Sequence, residues 1–66
     1  MNLRDLRTSA GKTVKETAAA LNVTVRAVSR YEQGTRQISL EQVLILAELY
    51  DCSERDVIDA VLNSRR

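Results

Sequence analysis

Two arginines, Arg26 and Arg30, stand one helical turn apart in the run TVKETAAALNVTVRAVSRYEQG, Thr13 to Gly34. At that spacing both side chains leave a helix on the same side. A guanidinium is a planar fork of donors that can grip guanine O6 and N7 through two parallel hydrogen bonds, a pairing that gives about 1–3 kcal/mol of discrimination between bases. Val25, Ser29 and Gln33 share that face. Val25 is the aliphatic member of an otherwise polar face, and a thymine methyl would account for it. Ser29 could reach a base or a phosphate. The plainer alternative is a solvated helix face on which Arg26 and Arg30 are ordinary surface charges.

Such a face reads DNA only if the chain around it holds it rigidly. Thr24 stands where a threonine caps a third helix over about 25–33, and Gly34 stands where it should end. Val28 and Tyr31 are its inward residues. Thr13-Val14-Lys15-Glu16 fits a T-x-x-E capping box opening a second helix, which buries Ala18 and Leu21. Asn22 tolerates the left-handed backbone that a sharp corner between helices two and three needs. Leu3, Leu6 and Ala10 make the stripe of a first helix over about 2–10, stopped by Gly11. Thr35, Arg36 and Gln37 form a polar loop. Ser39-Leu40-Glu41-Gln42 is a second capping box, opening a fourth helix through about Leu49. Ser53 opens a fifth, with acids in its first turn, to about Asn63. Ser64, Arg65 and Arg66 read as a frayed tail.

Composition bounds the function. With 66 residues, no proline and only two aromatic residues, Tyr31 and Tyr50, the expectation is one all-α domain over residues 1–66 with no separate effector-binding or catalytic domain. Net charge is only +1, but it is unevenly spread. Residues 1–36 hold seven basic and three acidic side chains, and residues 37–66 hold three basic and six acidic. A basic half can hold phosphates while an acidic half meets another partner, and the acids Glu41, Glu48, Asp51 and Glu54 are candidates for touching RNA polymerase or a partner protein. The single cysteine, Cys52, excludes an intrachain disulfide and a cysteine-rich metal site. No cofactor or metal is expected. Absence of histidine, of a base near the thiol and of a glycine-rich phosphate loop points away from an enzyme. No apolar stretch reaches membrane-spanning length and no signal-peptide pattern opens the chain, so a cytoplasmic location is expected.

These motifs together resemble the Cro/C1-type (XRE) helix-turn-helix family over about residues 3 to 58. Leu3, Leu6 and Arg7 match its L-x-x-L-R opening. Gly11 and Thr13 match the turn into helix two. Ala18, Asn22 and Val28 match the small residue, the corner and the buried aliphatic of the helix-turn-helix. Tyr31-Glu32-Gln33-Gly34 matches its Y-E-x-G, and Ser39 with Leu40 through Ala47 its fourth helix. The resemblance implies a five-helix, lambda-repressor-like DNA-binding domain with the helix-turn-helix at helices two and three. It implies base reading by Val25, Arg26, Ser29 and Arg30. Phosphate contacts would come from Thr13, Lys15, Thr24, Thr35 and Arg36, and a structural ion pair from Arg7 and Glu32. The chain departs from the family pattern at Val14, where a phosphate-contacting glutamine is common, and at Thr17, where a buried Leu or Ile is usual. Thr17 is expected to loosen the core. Ile38, Tyr50 and Cys52 depart as well, with Cys52 at a core position.

Helices four and five carry more aliphatic surface than one small core needs. Leu40, Val43, Leu46 and Ala47 follow the inward stripe of helix four, and Val57, Ile58, Val61 and Leu62 make a wide stripe on helix five. The surplus is expected to form a two-fold homodimer interface from Leu44, Ile45, Leu49, Ile58, Val61 and Leu62. The resulting expectation is a transcriptional regulator that reads a palindromic operator in double-stranded DNA. Its rival is a protein-interaction module, an antitoxin or adaptor, that keeps the fold with weak or no DNA binding. A purely structural bundle is a third reading, against which the arginine-bearing face argues.

Overall fold

Five side chains start five helices. In the computed structural model, which describes residues 1–65, the helices are α1 (Leu3–Ser9), α2 (Val14–Leu21), α3 (Val25–Gln33), α4 (Leu40–Leu49) and α5 (Glu54–Ser64). Asn2, Thr13, Thr24, Ser39 and Ser53 each accept a hydrogen bond from a backbone N–H in the first turn of the helix that follows. Four of these form reciprocal capping boxes, including two that local reading did not single out, Asn2 with Asp5 and Ser53 with Asp56. Asn22 has φ 56° and ψ 45°, the left-handed corner expected between α2 and α3. Asp51 makes a second left-handed corner, between α4 and α5. No strand occurs among the described residues.

The core gathers Leu3, Leu21, Ala27, Tyr31, Val43, Leu46, Ala47, Tyr50, Val57 and Ala60, with Cys52 half-buried against it. Thr17 does not leave this core loose. It is only 2% exposed, and its hydroxyl lies 3.1 Å from the Thr13 carbonyl and 3.0 Å from the Tyr50 hydroxyl. Thr17 donates its one proton to Thr13, so Tyr50 is the donor to Thr17. Two departures from the family pattern thus satisfy each other.

Two further expectations need correction. Leu40 is not inward but 73% exposed, because it is the first residue of α4 and projects past the end of the core. On α5 the residues that turn inward are Val57, Ala60 and Ser64, while Ile58 and Leu62, two of the residues expected at an interface, face solvent. Ser64 is no frayed tail: its Oγ accepts from the Leu3 N–H at 3.1 Å and donates to the Ala60 carbonyl at 2.8 Å. Arg66 lies outside the described residues.

Candidate nucleic-acid interface

Helix α3 buries Ala27, Val28 and Tyr31. At 100° per residue, Val25, Arg26, Ser29, Arg30 and Gln33 occupy an arc of about 140° on the other side. Val25, Arg26, Arg30 and Gln33 are exposed, and Ser29 is half-buried on the flank next to Glu32. The structure therefore brings all four expected base readers onto one accessible face. The α3 N-terminus also differs from its neighbours. Acids stand in the first turn of α1, α2, α4 and α5, and none stands in that of α3. Its free amides and positive dipole end are left without an internal counter-charge.

Arg7 fixes the far end of α3. Its Nε donates to Glu32 Oε2 at 2.6 Å, Nη2 to Glu32 Oε1 at 3.3 Å and Nη1 to the Lys12 carbonyl at 3.1 Å. One side chain thereby ties α1, α3 and the turn before α2. Both partners are 12% exposed, so the pair is largely shielded from solvent. The hydrogen bond to Glu32 strengthens Arg7's hold on its proton and outweighs the opposing effect of desolvation.

The expected phosphate contacts are placed less uniformly. Thr24 Oγ1 accepts from the Ala27 N–H at 3.1 Å, which leaves its own O–H to donate outward. Thr13 is exposed in the same way, but α2 already carries an anion: the Thr13 N–H donates to Glu16 Oε1 at 3.0 Å and holds that carboxyl below its ordinary range. Lys15 is exposed on the same first turn. Thr35 is committed elsewhere. Its N–H and hydroxyl both donate to the Arg30 carbonyl, at 3.0 and 3.2 Å, closing the end of α3 and leaving no donor for a phosphate. The Arg36 guanidinium lies over the Tyr31 ring, 5.7 Å from its centroid.

A polar cleft runs beside the α3 face, lined by Asn2, Arg4, Arg7, Ser29, Glu32 and Gln33. It brings Arg4 next to Ser29 and Gln33, a juxtaposition between distant parts of the chain that no local motif signals. The six expected interface residues do not converge. Ile58, Val61 and Leu62 line an apolar groove with Ile38, Leu40 and Val43, and Leu44 continues the exposed ridge one turn after Leu40. Ile45 and Leu49 lie on the opposite flank of α4, beside Lys12 and Ala20, half-buried against the core. Among the described residues no group of three or more His, Cys, Asp or Glu side chains is placed to hold a metal ion, and no helix is long and apolar enough to cross a membrane. Burial, with Asp56 and Asp51 nearby, raises the Cys52 pKa and keeps it a thiol.

A family model described as Helix-turn-helix matches residues 3–57. Comparison with curated proteins and with solved structures gives no match. The left-handed corner at Asn22, the exposed arginine face of α3 and the Arg7–Glu32 brace agree with that assignment, and the chain belongs to the Cro/C1-type helix-turn-helix family of DNA-binding, non-enzymatic domains.

Proposed function

We propose that this protein is a sequence-specific transcriptional regulator that places α3 in the major groove of a palindromic operator and binds as a homodimer. The observation that carries the reading is the face of exposed Val25, Arg26 and Arg30 with half-buried Ser29, on a helix that is braced at one end by Glu32 and left without an acid at the other. Arg26 and Arg30 read guanines, and Val25 packs on a thymine methyl. Lys15, Thr24 and Arg36 hold phosphates and set the register. Thr13 contributes through its outward hydroxyl. A cytoplasmic location belongs to the same proposal.

The dimer rests on the exposed leucines and isoleucine of one flank. Leu40, Leu44, Ile58 and Leu62 are large apolar side chains facing solvent along α4 and α5. A dimer that binds two successive half-sites needs its two copies of α3 about 34 Å apart, one turn of the duplex. The acids Glu41, Glu48, Asp51 and Glu54 remain available for RNA polymerase or a partner protein.

The test is a fluorescence-anisotropy titration of duplex DNA with the wild type and with Arg26→Ala and Arg30→Ala. The reading expects affinity that falls with salt and a loss of sequence discrimination in each variant. Sedimentation of wild type and Leu62→Asp checks the dimer, which the variant should dissociate. Folded protein without DNA affinity would instead favour the protein-interaction module.

A further inference from the structure

Tyr31 faces inward from α3, yet two polar groups converge on it. Gln42 Nε2 donates to its hydroxyl at 3.0 Å. The same Gln42 accepts the Ser39 N–H through Oε1 at 3.0 Å, and its own N–H donates to Ser39 Oγ at 3.1 Å. A continuous hydrogen-bonded path therefore runs from the underside of α3 to the N-terminus of α4. It spans the whole loop between them. The Arg36 guanidinium sits over the same ring, 5.7 Å from its centroid, within cation–π range.

We propose that Tyr31 is a positioning residue for the protein–DNA contact: its ring presents the Arg36 guanidinium to the DNA backbone, and its hydroxyl, through Gln42, fixes the loop that carries Arg36. This rests on the DNA-binding reading above. An arginine on an exposed loop has many rotamers, and ordering them opposes binding. A ring that already holds the guanidinium removes part of that ordering before DNA arrives; without it, ordering the free side chain costs more than one exposed contact returns, and the contact is not made. A guanidinium held at cation–π distance spends none of its N–H donors on the ring, so they stay free for a phosphate oxygen. Among the described residues Arg36 has no ion-pair partner that would compete.

The role is distinguishable from core packing because one phosphate contact changes the salt dependence of binding by a known amount. Each contact contributes a slope of about −0.9 in log K against log salt. Losing one makes the complex about 3.5-fold less sensitive to a fourfold rise in salt. The experiment titrates one duplex with wild type, Arg36→Ala, Tyr31→Phe, Tyr31→Leu and the Tyr31→Leu/Arg36→Ala double variant at several salt concentrations. Far-UV circular dichroism checks that each is folded. Arg36→Ala should reduce the slope by one contact. Tyr31→Leu should reduce it by a similar amount, and the double variant should show no further change. Tyr31→Phe keeps the ring and should retain most of the slope.

A folded Tyr31→Leu that binds more weakly with an unchanged slope overturns the proposal and leaves the DNA-binding reading intact. So does an unchanged slope in Arg36→Ala. If Tyr31→Leu does not fold, Tyr31→Trp keeps a ring, and a slope reduced there would overturn the proposal. Wild type that does not bind DNA overturns both together.

Discussion

Replacing Glu32 by glutamine should unbalance the brace between α1 and α3. The side chain keeps its size and loses its charge. Arg7 would then carry its guanidinium in a site where only 12% of it meets solvent, with the Lys12 carbonyl as its remaining strong acceptor. Removing one partner of a fully buried pair costs about 3–5 kcal/mol. Exposed pairs are worth about 0–1 kcal/mol. The forked geometry and the small residual exposure put Glu32→Gln between these, at about 2–3 kcal/mol. In a domain of this size that lowers Tm by roughly 10–20 °C. Urea unfolding followed by far-UV circular dichroism gives the free energies for Glu32→Gln, Arg7→Met and the double variant. The coupling energy of this cycle should be about 1.5–3 kcal/mol, with the double variant less destabilised than the sum of the singles. A coupling energy under about 0.5 kcal/mol would show that the pair behaves as a surface bridge and would refute the bracing argument.

Two glycines with similar backbones should respond differently to alanine. Gly11 has φ +71° and no atom near an added Cβ, so Gly11→Ala should cost only the left-handed strain, about 1 kcal/mol by urea titration. Gly34 has φ +76°, and its Cβ would fall 2.1 Å from the Ser64 carbonyl oxygen and 2.8 Å from the Ser64 carbonyl carbon. Because backbone must move, Gly34→Ala should cost about 3 kcal/mol or more, and equal costs at the two sites would contradict the packing described. Tyr50 gives a pH dependence. Burial raises its pKa above the ordinary 10.0, so the unfolded chain loses this proton first as pH rises. Stability should be unaffected by this group below about pH 9 and fall as pH rises through about 10 and beyond, and Tyr50→Phe should remove that part of the alkaline loss.

The helix boundaries were legible because their causes are local. Thr13 and Glu16, Ser39 and Gln42, and the corner at Asn22 each act within a few residues of themselves. The face of α3 was legible for a related reason, since helical spacing alone separates Arg26 and Arg30 from Val28 and Tyr31. What escaped depends on partners far along the chain. Leu40 fits an inward stripe, and only the place where α4 begins relative to the core turns it out. Ile45 and Leu49 read as surplus surface from helical spacing alone, and it is the packing of α2 against that flank that half-buries them. Ser64 is a polar residue near the C-terminus, and its burial follows from the Leu3 amide 61 positions earlier. Thr17 and Tyr50 each look out of place singly; their meaning lies in the hydrogen bond between them. Arg36 over Tyr31 likewise needs the loop's path, which no local pattern specifies.

The most direct test of the account is selection of bound duplexes from a random DNA pool by the purified protein at physiological salt, repeated with Arg26→Ala. The account predicts a two-fold symmetric site with half-sites about one helical turn apart. It also predicts that discrimination at one base pair of each half-site relaxes in the variant, by about 1–3 kcal/mol. Folded wild-type protein that enriches no sequence, or a variant that selects the same site with the same discrimination at every position, would contradict it.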